Sequence, residues 1–173
     1  MRKTLSSSLE MYLKTILGLG GADRPVRVTE IAREMGVRLP SVSEAVQTLR
    51  ARRLVLHSTY GTVRLSTRGS QAAAAVQRRY EILKRFFTDV LGVERAAAER
   101  DACEIEHVVS EDTLARLTTF LEYITCCDRD VAGVVEHFQE FAGLALAGKR
   151  CPECGGGPGG AAGSGTACGG GRS

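Results

Sequence analysis

Between residues 28 and 50 two short stretches of helical apolar period are held apart by a four-residue turn, and few folds accommodate that spacing. The first, Thr29-Glu30-Ile31-Ala32-Arg33-Glu34-Met35, stops at Gly36, a residue suited to the left-handed end of a helix. After the turn through Gly36 to Leu39, Pro40 stands where a first helical residue is tolerated, and Val42, Ala45, Val46 and Leu49 make the buried stripe of the second. Two short helices about a glycine turn predict a helix-turn-helix. Leu54-Val55-Leu56-His57 and Val63-Arg64-Leu65-Ser66, joined through Tyr60-Gly61, predict the small hairpin, or wing, that commonly follows it.

The flanking sequence is helical. Leu9, Tyr12, Leu13, Ile16 and Leu17 form a stripe behind the capping serines Ser6 to Ser8, and Gly20, Gly21 and Pro25 end that helix. An alanine-rich tract over 67–91 predicts a long helix, followed by helices over 95–107, 111–124 and, more weakly, 131–147. The chain is long enough to bury a real core, lacks tryptophan and is dominated by aliphatic residues, which excludes an all-β fold. The expected class is mainly α: a winged helix-turn-helix over 1–70, an all-helical domain over 71–148, and a flexible Gly/Cys-rich tail over 149–173. From Cys151 onward ten of twenty-three residues are Gly, too little apolar surface to offset the ordering entropy of a packed core.

Charge is divided along the chain. Residues 1–80 hold fourteen Lys and Arg against five acids, and the remainder is net acidic. A basic half points to a polyanion, although solvated helix faces give the same count. No secretory signal or bilayer-length apolar run is present, so the expected compartment is the cytoplasm, with no membrane partner. There, six cysteines are thiols or metal ligands rather than a disulfide framework.

A helix that reads DNA needs polar side chains on its exposed N-terminal face. Arg38, Pro40, Ser41, Ser43, Glu44 and Gln47 occupy that face here. Arg38 suits guanine or phosphate, Gln47 suits adenine, and the serine hydroxyls suit phosphate or mixed contacts. Arg50, Arg52 and Arg53, with Arg64 on the wing, are candidate backbone contacts. The same shape also serves as a protein-interaction module, in which these residues are merely solvated.

A second chemical signal is Cys103-Glu104-Ile105-Glu106-His107. On a helix, positions i, i+3 and i+4 share a face, so Cys103, Glu106 and His107 converge while Ile105 turns toward packing. Three donors of different softness suit a mid-row divalent metal. A buried thiol beside a capped histidine has the same spacing and needs no ion.

Leu9-Glu10-Met11-Tyr12-Leu13-Lys14-Thr15-Ile16, the helix-turn-helix over 28–49, Leu65-Ser66-Thr67-Arg68-Gly69 and Ala102-Cys103-Glu104-Ile105-Glu106-His107-Val108-Val109-Ser110 together resemble the diphtheria toxin repressor and manganese transport regulator family of metal-dependent repressors. The likeness runs in order over roughly residues 5–123. It implies a homodimer on a near-palindromic duplex operator, with Val108, Leu114, Leu117 and Leu121 as interface or core positions, and control of metal-uptake genes. It further implies that Met11, Cys103, Glu106 and His107 ligate the activating metal, with Glu10 orienting a bound water. Met11 and Cys103 correspond to the iron-type members, where manganese-type members place carboxylates; the softer donors favour Fe(II), with Mn(II) second.

The departures from the family pattern carry expectations of their own. Tyr80, Lys84 and Glu99 stand where relatives build a second metal site, and Lys14 replaces a carboxylate of the manganese type, so one metal per protomer is expected. Too few residues follow Ile124 for the family's SH3-like domain. In its place Cys151-Pro152-Glu153-Cys154 forms half a zinc knuckle or a redox pair, with Cys126, Cys127 and Cys168 irregularly spaced around it. Zn(II) at Cys151 and Cys154 is the minor reading against idle thiols. Two rival functions remain at this level: a winged-helix regulator switched by thiol oxidation, and a metal-buffering or adaptor protein that never touches DNA. No catalytic dyad, phosphate loop or small-molecule cofactor fingerprint argues for an enzyme.

Overall fold

The computed structural model describes residues 5–57, 61–126, 131–150 and 152. The elements run α1 (Ser7–Gly18), β1 (Val26–Arg27), α2 (Val28–Met35), α3 (Leu39–Ala51), β2 (Val55–His57), β3 (Thr62–Leu65) and α4 (Thr67–Arg85). A π-helical turn at Phe86–Val90 leads on to α5 (Arg95–Ile105), α6 (Glu111–Cys126) and α7 (Val131–Leu146). The protein is mainly α, with a winged helix-turn-helix at its N-terminal end and a helical region after it. Residues 151 and 153–173, with Cys151, Cys154 and Cys168, lie outside the described residues, as does Cys127.

Local chemistry sets the element ends. Ser6 caps α1, its Oγ accepting the Leu9 N–H at 3.4 Å. Gly36 closes α2 in the left-handed region at φ 65°, and the chain re-enters helix at Leu39 with Pro40 in the first turn. The sheet has the order β1-β3-β2 with both pairings antiparallel, placing Val26 opposite Val63 and Leu56 opposite Arg64. Strand β1 is absent from the sequence expectation, because two residues carry no readable alternation. It turns the predicted hairpin into a three-stranded sheet that fastens the wing to the helix-turn-helix.

Apolar side chains of α1, α2, α3, all three strands and the start of α4 form one core, in which Leu13, Ile16, Ile31, Val42 and Leu49 are completely buried. The helical region is joined to it through α4, whose Gly69 lies against β2: a Cβ there would fall 1.8 Å from the Leu54 carbonyl oxygen. Leu83, Ala102 and Leu114 are the buried members of a second, smaller cluster. Of the four positions expected at an interface or core, Leu114 and Leu121 are buried, Leu117 is half-buried and Val108 is exposed.

Two helix ends differ from expectation. The long helix leaves α geometry after Arg85, where the Thr88 hydroxyl lies 2.6 Å from Asp89 Oδ1, with the Lys84 and Arg85 carbonyls also in reach at 3.1 and 3.4 Å. The π turn sets Phe86 edge-on to Phe120 of α6, ring centres 6.2 Å apart. The next helix, α5, stops at Ile105 instead of reaching His107, and the Val108 and Val109 amides both donate to the Ile105 carbonyl at 2.9 and 3.1 Å. His107 therefore stands on a turn, and Ile105 is exposed rather than packed.

Candidate metal centre and nucleic-acid face

Along α3, burial separates the two faces that the sequence assigned. Val42, Ala45, Val46 and Leu49 point into the core, while Arg38, Pro40, Ser41, Ser43, Glu44, Gln47 and Arg50 are all exposed. The exposed set begins at the helix N-terminus, with Arg38 as its cap residue. Arg64 is exposed on β3, its Nε donating to the Ala22 carbonyl at 3.3 Å, which holds the guanidinium against the base of the sheet. Arg53 is exposed beyond the end of α3, in the left-handed region at φ 59°, and Arg52 is half-buried. The face is polar, with arginines at both ends of the helix and on the sheet beside it.

The four candidate ligands fall in two groups. Met11 on α1 and Cys103 on α5 line one cavity of about 390 Å³, together with Lys14, Gln77, Tyr80 and Glu99. Cys103 is a free thiol of intermediate exposure. Glu106 and His107, at the end of α5, meet the other side of Lys14. Glu106 is fully buried, and both its carboxylate oxygens accept from the Lys14 ammonium, at 2.9 and 3.0 Å. Burial pushes the Glu106 carboxyl above its ordinary range, and the Lys14 hydrogen bond pulls the other way.

His107 is held from one side only. Its Nδ1 lies 2.8 Å from Glu10 Oε2. An ionised carboxylate only accepts, so Nδ1 donates, and a ring that is to ligate a metal does so as the neutral imidazole through Nε2. That Nε2 is buried, has no hydrogen-bond partner and faces Glu106 Oε1 at 3.5 Å. An unpartnered buried imidazole nitrogen beside a buried carboxylate is costly unless a ligand completes it. A carboxylate on the far ring nitrogen is the usual support of a metal-binding histidine. Glu10 thus orients the ring itself, a role the sequence reading gave it only toward a water.

Arg79 of α4 braces the arrangement. Its Nη1 donates to the Glu106 carbonyl at 3.3 Å and lies 3.6 Å from Glu10 Oε2, tying α1 to the end of α5. Lys14 also lies 3.9 Å from the centre of the Tyr80 ring, whose far neighbour is Lys84 at 5.0 Å. Burial raises the Tyr80 phenol, and a 2.6 Å ion pair with Glu81 raises Lys84. Two cations thus flank the Tyr80 phenol where the sequence reading expected a second metal site to be lost. Sequence reasoning missed Arg79, which looks like one basic residue among many on α4, and treated Lys14 only as a departure from a pattern.

The donor set fits a divalent transition metal: a thioether, a thiol, a carboxylate and a buried imidazole nitrogen without a hydrogen-bond partner. Among the described residues, however, no three His, Cys, Asp or Glu side chains are gathered closely enough to hold an ion. Lys14 shares a cavity wall with Met11 and Cys103 and holds the Glu106 carboxylate.

The known family called iron dependent repressor, N-terminal DNA binding domain, matches residues 4–63, and iron dependent repressor, metal binding and dimerisation domain, matches residues 66–131. The chain belongs to the iron-dependent repressor family. Within this family chain Met11 falls in the DNA-binding match, whereas Cys103, Glu106 and His107 fall in the metal-binding match. The chain is 31% identical over 124 residues to the diphtheria toxin repressor of Corynebacterium jeikeium, covering 71% of this chain and 52% of that one. An uncharacterised HTH-type transcriptional regulator of Methanocaldococcus jannaschii is 29% identical over 119 residues, covering 68% of this chain and 95% of that one. Among solved structures, the manganese regulator SloR superposes with a TM-score of 0.59 at 31% identity, covering 66% of this chain and 54% of that one. This iron-dependent repressor homologue therefore spans about half the length of the diphtheria toxin repressor it matches, but nearly all of the archaeal regulator. Among the described residues no helix is long and apolar enough to cross a membrane.

Proposed function

We propose that the protein is a cytoplasmic transcriptional repressor that binds a near-palindromic operator as a homodimer when a divalent metal, Fe(II) before Mn(II), is ligated by Met11, Cys103, Glu106 and His107. Residues 1–70 form the DNA-reading unit and 71–148 the unit that holds the ion and pairs the protomers. The controlled genes serve metal uptake and are silenced when the metal is plentiful. The role is one of binding, without catalysis. The observation that carries this reading is His107, its ring locked by Glu10 at 2.8 Å while its buried Nε2, without a partner, faces Glu106.

When bound, the ion supplies a crosslink between α1 and the end of α5. The residues of the chain do the rest. Met11, Glu10 and Lys14 ride on α1, which packs into the DNA-binding core, while Cys103 lies near the end of α5, which packs on α4, and Glu106 and His107 on the turn that follows it. With Met11 and His107 holding one ion, the tilt of the DNA-binding unit would be fixed, which would favour the half-site spacing that one operator requires. Such a bias is a population shift, for which a few kcal/mol of differential affinity suffice. Soft donors at Met11 and Cys103 move preference from Mn(II) toward Fe(II).

The test is operator binding by chelator-stripped protein with Fe(II), Mn(II) and Zn(II) restored in turn, repeated for His107→Ala. Binding that returns with Fe(II) in the natural protein and with no metal in His107→Ala is the expected result. Stripped protein that binds its operator at full strength, or a variant that responds like the natural chain, removes the reading. Loss of operator binding on oxidation rather than on chelation would transfer the function to thiol chemistry at Cys103.

A further inference from the structure

The residue at the centre of the buried cluster is Lys14. Its ammonium takes both oxygens of Glu106, at 2.9 and 3.0 Å, and stacks 3.9 Å over Tyr80, while the Lys14 side chain keeps only 15% of its exposure and Glu106 none. Met11 and Cys103 share a cavity wall with Lys14, whereas His107 reaches the same Glu106 carboxylate with Nε2 at 3.5 Å. We propose that Lys14 is a built-in cationic competitor for the metal centre, which neutralises Glu106 in the ion-free protein and must release that carboxylate before a divalent ion is ligated there. The inference rests on the metal-site reading above.

Three physical points lead to it. A carboxylate completely removed from water needs a positive partner, and Lys14 Nζ hydrogen-bonds both its oxygens, while His107 Nε2 stays farther off at 3.5 Å. An ammonium and a divalent ion on the same buried carboxylate repel strongly in a low dielectric, so the two cations exclude one another. The displaced ammonium also has somewhere to go. Lys14 lines the cavity of about 390 Å³ whose wall includes Glu99 and the Tyr80 ring, and a lysine stem is flexible enough to swing into it.

The consequence is an adjustable threshold. The apparent affinity for the ion is the intrinsic affinity reduced by the fraction of molecules in which Glu106 is free, so Lys14 raises the ion concentration at which the protein responds. Removing it tightens binding and, at the same time, strands Glu106 in the ion-free protein. A lysine that merely supported the fold would weaken both.

The experiment uses the full chain without oxygen. Co(II) is titrated in competition with a chromophoric chelator, and thermal unfolding is followed with and without Co(II). The share of binding lost in His107→Ala defines the site and separates it from other thiols of the chain. Lys14→Met is expected to tighten that share by about tenfold or more, to lower the melting temperature of the ion-free protein and to widen the rise that Co(II) produces. Lys14→Arg stays at the natural affinity or below it, because a guanidinium grips a carboxylate through two parallel bonds. Should Lys14→Met fail to fold without ion, Lys14→Gln, which still hydrogen-bonds one oxygen, carries the same expectation. Unchanged or weaker Co(II) binding in the neutral variants overturns the competitor while leaving the site in place. A His107→Ala protein that keeps all of the natural binding removes the site itself, and the competitor with it.

Discussion

In the N-terminal half, apolar side chains from three helices, three strands and the start of α4 close over one another into a core with no buried charge among the described residues. In the half after it, the buried apolar cluster shrinks to Leu83, Ala102 and Leu114, and a fully buried carboxylate sits nearby. That second half also leaves Phe120, Tyr123, Val134, Phe138 and Leu146 exposed. The first half is held by the hydrophobic effect, which is non-directional and indifferent to ions. The second is held partly by charges with exact partners, so its cohesion depends on which cation faces Glu106 and on what covers its apolar side. A fixed reading head on a conditional base is the arrangement that a switch requires.

The sharpest way to break this contrast is to cut equal holes in the two halves. Leu13→Ala, at a fully buried position of α1, is expected to cost about 2–5 kcal/mol by urea denaturation, toward the upper end because its neighbours are already close-packed. Leu114→Ala, in the small cluster, should fall at about 2 kcal/mol and recover in part when metal is added. Equal losses, unaffected by metal in both, would show that the second half is as self-sufficient as the first.

A smaller effect tests whether the reading head acts on its own. Arg38 is exposed at the start of α3 and has no side-chain capping bond, so Arg38→Ala should leave folding intact. It is expected to weaken operator binding by about 1–3 kcal/mol and non-specific duplex binding by less. Metal affinity measured without DNA should not move. Equal loss on specific and non-specific DNA would demote Arg38 to a phosphate contact, and a shift in metal affinity would mean that the two halves are not separable.

The same contrast explains what was legible in the sequence. Period and punctuation sufficed for the winged helix, since Val42, Ala45, Val46 and Leu49 repeat at helical spacing and Gly36 marks the turn. Strand β1 was lost because two residues are shorter than any pattern. Around the candidate metal centre the donors could be named, but their present grouping could not. Lys14 and Glu106 are 92 positions apart, and nothing local says that a lysine one turn along from Met11 would close on that carboxylate. Helical spacing also placed His107 on a continuous face with Cys103, whereas α5 ends at Ile105 and the Glu10 hydrogen bond sets the ring. Short-range periodicity describes the half built on burial. It does not describe pairing between charges brought together by the fold.

The finest test sits at the joint between the halves. Ser66 caps α4 by accepting the Gly69 N–H at 3.0 Å, and its hydroxyl donates to the Arg53 carbonyl at 2.8 Å, with the Leu54 carbonyl also in reach at 3.0 Å. One side chain thus starts the helix that carries the second half and straps it to the connection between α3 and β2 in the first. Ser66→Ala should cost about 1 kcal/mol, the usual worth of an N-cap. Ser66→Asp keeps the acceptor but has no proton to give, and it sets a negative charge beside two carbonyl oxygens, so it should recover only part of that loss. Full recovery in thermal melts would make Ser66 a cap and nothing more, and the union of the two halves would then rest on Gly69, where the helix backbone already touches Leu54 too closely for any side chain to intervene.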